Sequence, residues 1–208
     1  MASYASVQAF AKRCDTELPT IDIVILNAGI FQPTFNLDPT TGHELTIQVN
    51  YLSTFLLAIL LMPILTSKAT AGKPARLTVV NSGVSLGAQL PNRNKVPLLA
   101  SFDDTNIQPF DMTERYYSSK VLGQLFTARL AEYLPSTDKL IFNLVDPGLC
   151  KGSDLHRDIH GVVSTIVSSF KTATARTLEA GASTYVDAVV TKGPESQGSF
   201  IFDWQIHP

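Results

Sequence analysis

The chain has 208 residues, 45% of them apolar and 16% charged, with a formal net charge of −2. That length points to one domain, here residues 1–208, and the balance excludes a disordered chain. With 16 Lys and Arg against 18 Asp and Glu, and two cysteines, Cys14 and Cys150, a nucleic-acid interface and a disulfide-framed secreted scaffold are also set aside. A reducing, cytoplasmic setting is expected.

Residues 3–16 read as a helix, with Ser3 as N-cap and Val7, Phe10 and Ala11 on one face. Ile21–Leu26 (IDIVIL) is a continuous apolar run, as expected of a strand buried in a parallel sheet. Residues 42–66 look helical, with Pro63 bending or ending the pattern. Within them, the run from Leu52 to Leu65 is too short for the ~20 apolar residues of a bilayer span, so a core helix is expected there and no membrane role. Arg76–Asn81 is a second strand. Residues 86–112 carry Pro91, Pro97 and Pro109 among Asn and Asp, and read as a long functional loop. A helix is expected from Glu114 to Tyr133, with Leu122, Leu125, Phe126 and Leu130 along its apolar face. Leu140–Val145 is a third strand. Residues 161–171 and 176–191 look helical, and Ser199–Phe202 is a short last strand. The alternation predicts an α/β fold with an open parallel sheet and flanking helices.

Ligands in such sheets bind beyond the carboxyl ends of the strands. Three strand ends carry marked residues: Asn27-Ala28-Gly29, Asn81-Ser82-Gly83 and Asp146-Pro147-Gly148. Any one of them alone is also ordinary turn chemistry. Tyr116 and Lys120 are four apart and share a helix face. An ammonium beside a phenol favours the phenolate, so Lys120 is expected to lower the Tyr116 pKa and make it a usable acid or base. Ser82 could hydrogen-bond the same substrate oxygen. Asn50, in an apolar helix, needs a buried partner.

Together these residues resemble the short-chain dehydrogenase/reductase family over nearly the whole chain. Asn27-Ala28-Gly29 is similar to its Asn-Asn-Ala-Gly signature, with Leu26 in place of the first Asn. Asn50 in VNYLSTFLL, Ser82 in TVVNSGVS, Tyr116-Tyr117-Ser118-Ser119-Lys120 and Asp146-Pro147-Gly148 follow in family order. The spacing from Ser82 to Tyr116 and the tail ARTLEAGASTYVDAVV resemble its fungal and retinol-dehydrogenase-like branch. The resemblance implies a Rossmann-like sheet and catalytic roles for Asn50, Ser82, Tyr116 and Lys120. Tyr116 would exchange the proton, Lys120 would tune it and hold the nicotinamide ribose, Ser82 would orient substrate, and Asn50 would hold a relay water. It also implies NADP or NAD held by Asn27, Ala28, Gly29, Lys120, Pro147 and Gly148. The run His156-Arg157-Asp158 would be a substrate lid.

The sequence also departs from the family pattern. No Gly-x-Gly-x-x-Gly occurs in it, and such a loop at a helix N-terminus is what cradles a pyrophosphate. The chain is therefore expected to lack the first βαβαβ half and the last helix of the fold. It is also expected to bind dinucleotide weakly or not at all, and to form a homo-oligomer that covers Ile21–Leu26 as an exposed apolar edge. The helices at 42–66 and 114–133 would be the dimer face.

Two activities follow. One is NAD(P)-type oxidation or reduction of a small, apolar metabolite at a carbonyl or hydroxyl. The other is redox-free acid–base catalysis by the same residues, as an isomerase, dehydratase or cyclase. A non-catalytic remnant is a third outcome. A serine hydrolase is a fourth, because Gly83-Val84-Ser85-Leu86-Gly87 fits Gly-x-Ser-x-Gly with Asp154 and His160, or Asp203 and His207, downstream. AQLPNRN follows where that motif requires a helix. His156 and His160 alone make no metal site, and none is expected.

Overall fold

A computed structural model describes residues 1–156 and 175–207. Helix α1 is Tyr4–Glu17, started by the Ser3 hydroxyl, which accepts from the Ser6 N–H at 3.3 Å. Strand β1 is Ile23–Leu26. Helix α2 runs Leu45–Lys68, with a wider π-turn at Gln48–Ser53. Strand β2 is Ala75–Val80, helix α3 is Met112–Leu130 and strand β3 is Leu140–Val145. Helix α4 is Leu178–Val186, continued by a π-turn at Asp187–Thr191. Strands β4 (Phe200–Phe202) and β5 (Gln205–His207) complete the described elements.

The sheet order is β1-β2-β3-β4-β5, parallel through β4, with β5 antiparallel. The α/β prediction therefore holds. β2 and β3 form its centre, and every residue of β3 is buried. Alternate side chains separate two faces. Leu77, Val79, Leu140, Phe142 and Leu144 pack with Val7 and Ala11 of α1 and with Phe55, Leu61 and Leu65 of α2. On the other face Val145 and Ile201 meet Ala188 of the α4 π-turn. There the Thr78 hydroxyl donates to Asn143 Oδ1 at 2.7 Å, and Asn143 Nδ2 donates to the Ala188 carbonyl at 3.2 Å. β1 is an edge strand, as expected, and Ile23 is half exposed on it.

Several sequence expectations are corrected. Pro63 does not end α2, which continues to Lys68. Pro63 and Ile59 lie on the exposed side of the helix, where water can take the carbonyl that proline leaves without its N–H partner. α2 also outgrows its apolar run. By length and composition it could cross a membrane, yet just over half of its most apolar stretch is buried, with Leu57, Ala58, Leu61 and Leu65 in the core. Strand β5 was not expected. Its two-residue turn places Asp203 and Trp204 at positive φ, without the Asn or Gly that usually announces such a hairpin. Arg176 holds that turn from a distance, pairing with Asp203 and lying 4.7 Å over the Trp204 ring. The helix expected at 161–171 lies outside the described residues.

The long loop is ordered by polar anchors. The Glu114 carboxylate accepts from the Leu90 N–H at 3.0 Å and from the Ser118 hydroxyl at 2.9 Å. Asn92 Nδ2 donates to Ser101 Oγ at 2.7 Å. Asp103 accepts from the Glu44 N–H at 2.8 Å and pairs with His43 at 2.9 Å. Asp111 caps α3, accepting from the Glu114 N–H at 2.7 Å. The Asp111→Ala variant should lose about 1 kcal/mol of stability, read as a lower urea midpoint at unchanged slope.

Candidate active site

Three elements meet where β2 and β3 end. β2 delivers Asn81 and Ser82, β3 delivers Asp146, and α3 lays Tyr116 and Lys120 across them. The N-terminal half of α3 buries a polar face, with Arg115, Tyr116, Ser118, Ser119 and Lys120 inward, while its C-terminal half packs Leu122, Phe126 and Leu130 as predicted and leaves Leu125 55% exposed.

Asn81 fixes this junction. Its Nδ2 donates to the Lys120 carbonyl at 3.1 Å, and its Oδ1 accepts from the Ser82 N–H at 2.7 Å. Ser82 is thereby set against α3, with its hydroxyl on the side of the Tyr116 phenol. The Tyr116 ring packs on Phe31, centroids 5.2 Å apart, within an apolar patch that includes Met112, Tyr117 and Leu155. Lys120 Nζ donates to the Val80 carbonyl at 3.1 Å and lies 5.6 Å from the Tyr116 ring centroid.

The electrostatics differ from the simple expectation. Burial pushes the Tyr116 phenol above its ordinary value. The Asp146 carboxylate adds to that rise, while the Ser82 hydrogen bond opposes it. The predicted lowering by Lys120 is not found: its ammonium donates to the Val80 carbonyl, and burial dominates at the phenol. Burial also pulls Lys120 down to about 8, with Asp146 opposing. Asp146 is itself pushed up by burial. Tyr116 is thus held as a phenol, a proton donor at neutral pH.

The other predicted residues divide. Asn50 is fully engaged: Oδ1 accepts from the Ile30 N–H at 2.8 Å, and Nδ2 donates to the Ile30 carbonyl at 2.9 Å and to Ser119 Oγ at 3.0 Å. It clamps the segment after β1 onto α3. Gly29 adjoins both, so that a methyl group there would lie 3.5 Å from Asn50 Oδ1 and 3.8 Å from Lys120 Nζ. Asn27 and Ala28 are exposed at the β1 end, and Asn27 Oδ1 accepts from the Tyr185 hydroxyl at 2.8 Å. Gly148 is at positive φ after Pro147, with the Arg176 side chain against its Cα.

Sequence reasoning did not single out Asn81, Asp146 and Tyr185 as site residues. The first two stood in the marked strand-end triplets. Tyr185 had no local signal, because its contact with Asn27 spans 158 positions. Ser85 is buried and donates to the Ser82 carbonyl at 2.7 Å, so the Gly83–Gly87 pattern does not form a nucleophile elbow. His160 and the Arg157-Asp158 part of the expected lid lie outside the described residues.

Comparison with known proteins places this architecture. The family model for short chain dehydrogenases matches residues 1–90. Across its full length the chain is 52% identical to the short chain dehydrogenase/reductase mfmJ of Annulohypoxylon moriforme, of which it covers 60%. It is 42% identical to the short chain dehydrogenase opdN of Penicillium oxalicum, of which it covers 69%. The chain belongs to the short-chain dehydrogenase/reductase family. Its similarity to fungal members extends over all 208 residues, while it spans only about 60% of the length of the first of them. Among solved structures, a Burkholderia cenocepacia short chain dehydrogenase in complex with NADP aligns with a TM-score of 0.62 at 18% identity, over 96% of this chain and 70% of that one. The Pseudomonas aeruginosa RhlG/NADP complex aligns at 0.63 and 19%, over 96% and 71%. Both share the fold.

The short-chain dehydrogenase residues present here fit one half of a dinucleotide. Among the described residues Lys120 Nζ makes a single hydrogen bond, to Val80, so its other N–H donors are available to a ribose hydroxyl. Gly29 leaves room beside that buried ammonium, since a methyl group there would lie 3.8 Å from it. A glycine-rich turn for the pyrophosphate is not part of this sequence.

Proposed function

We propose that this chain carries the substrate and proton-transfer half of an NAD(P)-type oxidoreductase that reduces a carbonyl on a small, apolar metabolite. The convergence of Ser82, Tyr116 and the buried Lys120 where β2 and β3 end, with Asn81 bonded to both the Ser82 N–H and the Lys120 carbonyl, is the observation that carries this reading. A bound reduced nicotinamide would supply the hydride. Tyr116 donates its proton to the carbonyl oxygen as negative charge develops there. Ser82 orients that oxygen by hydrogen bonding. Lys120 would also hold the ribose, with Asn27, Ala28, Gly29, Pro147 and Gly148 lining the cofactor cleft. Phe31, Met112, Tyr117 and Leu155 form an apolar wall around the phenol, which supports an apolar substrate and excludes water from the transfer. Asn50 acts by fixing the β1 end beside Lys120.

Calorimetric titration of the 208-residue chain with NADPH and NADH tests the redox part. Weak binding that is lost in Lys120→Ala is the expected result, because the ribose contact is present while the pyrophosphate cradle is not part of this sequence. A well-folded chain that binds neither nucleotide would overturn it and leave Tyr116 and Ser82 for isomerisation, elimination or cyclisation, which need no hydride.

A further inference from the structure

A small cavity lies between the long loop and the first turns of α3. Asn92, Gln108 and Asp111 line it from the loop side, and Glu114, Arg115 and Ser118 from the helix. Its volume is about 10 Å³, room for one water-sized molecule. Two of these side chains each keep a polar group left over. Asn92 is 1% exposed. Its Nδ2 donates to Ser101 Oγ at 2.7 Å, and the single proton of that hydroxyl goes to the Leu98 carbonyl at 2.6 Å. Ser101 therefore accepts from the amide, which fixes the nitrogen end of Asn92 against it and leaves Oδ1 as a spare acceptor. Arg115 is 3% exposed. Its Nη1 donates to the Phe102 carbonyl and faces Glu44, and Nη2 is a spare donor. Among the described residues neither Asn92 Oδ1 nor Arg115 Nη2 has a hydrogen-bond partner. The other buried side-chain atoms in that condition belong to residues that do not line this cavity.

We propose that this cavity is a binding site for a single water molecule, which donates to Asn92 Oδ1, accepts from Arg115 Nη2 and so bridges the long loop to α3. Buried donors and acceptors in folded chains find partners, and here one of each is left facing the same small space. Charge narrows the choice of occupant. The Arg115 guanidinium repels a cation, and the Asp111 and Glu114 carboxylates repel an anion. Those carboxylates are also engaged already: Asp111 accepts from the Glu114 N–H, and Glu114 from the Leu90 N–H and the Ser118 hydroxyl. The occupant is therefore neutral, very small, and able to give and take a hydrogen bond at once. Water meets all three conditions. Ser118 Oγ, whose proton goes to Glu114, keeps a lone pair for the second hydrogen, and about three partners are usual for a buried water. The bridge ties the loop to the residue just ahead of Tyr116, whatever chemistry Tyr116 performs.

The test is a high-resolution crystal structure of the full chain, joined to oxygen-17 relaxation dispersion of water in solution. The expected density is one ordered water at hydrogen-bond distance, about 2.7–3.2 Å, from both Asn92 Oδ1 and Arg115 Nη2. A direct bond between those two atoms with the cavity closed would overturn the proposal, and so would a buffer ion in the cavity or no density there at all. In solution, Asn92→Leu removes the acceptor and fills the space with an apolar side chain. Relaxation dispersion should then count one long-lived water fewer than in the native chain. An unchanged count in a folded variant would overturn the proposal. If Asn92→Leu does not fold, the density of the native chain decides. Neither readout uses substrate, nucleotide or turnover, so loss of the oxidoreductase reading would leave the water site standing, and loss of the water site would leave that reading untouched.

Discussion

Tyr116→Phe should lower the rate of carbonyl reduction by about 10²- to 10⁴-fold, the contribution of a positioned proton donor, while leaving the fold and nucleotide affinity intact. The substitution removes one oxygen and keeps the ring. The packing on Phe31 at 5.2 Å and the contacts with Met112 and Leu155 survive, so the loss is chemical rather than structural. Ser82 keeps its place, because the Asn81 side chain and the Val84 N–H hold it. Turnover of apolar aldehydes and ketones, followed by nicotinamide absorbance, is the measurement. A rate within twofold of the native chain would remove Tyr116 from the chemistry. Calorimetry on the same variant separates lost catalysis from lost binding.

The second large effect is on stability. Arg115→Met should destabilise the chain by about 3–5 kcal/mol, the range for breaking a buried ion pair from one side. Arg115 and Glu44 are 3% and 0% exposed, and Arg115 Nη1 lies 3.9 Å from Glu44 Oε2. The guanidinium also donates to the Phe102 carbonyl at 2.5 Å and stacks over the Phe102 and Phe110 rings at 4.9 and 5.6 Å. Without it, the long loop loses its inner anchor and the Glu44 carboxylate stays buried. Burial already pushes that carboxyl up, against the help of the Ile47 and Thr46 N–H groups and of Arg115. The pair is imperfect: among the described residues Glu44 Oε1 and Arg115 Nη2 have no hydrogen-bond partner. Its net worth against an apolar pair is therefore small, and Glu44→Leu with Arg115→Met should recover most of the loss. Urea unfolding of the single and double variants measures both. A single variant costing under about 1 kcal/mol would mean that the pair does not hold the loop.

Much of this arrangement was legible in the residues. Leu140–Val145 begins and ends as its apolar run predicts, because a central strand buried on both faces is specified by its apolar residues, with Asn143 satisfied by Thr78 and the Ala188 carbonyl. Ile21–Leu26 pairs only from Ile23, since an edge strand has one neighbour to define its length. Counting apolar residues found Leu122, Phe126 and Leu130 on the inward side of α3 but misplaced Leu125 and missed the buried polar face of the first turns. Spacing alone predicted that Tyr116 and Lys120 are neighbours. It could not show that the ammonium turns to a strand carbonyl, nor that burial outweighs attraction at the phenol. Asp146, Tyr185 and the β5 hairpin depend on partners far along the chain, and a local pattern does not record them.

Trp204 is the single tryptophan of the chain. It lies beneath the Arg176 guanidinium, and the same side chain presses on Gly148 at the end of the β3 turn. The protein therefore has an intrinsic optical gauge at the edge of its candidate cleft. Any molecule that lifts Arg176 away from Gly148 must also uncover the indole, so emission intensity and wavelength can follow occupancy of the cleft without a dye, a label or knowledge of the substrate.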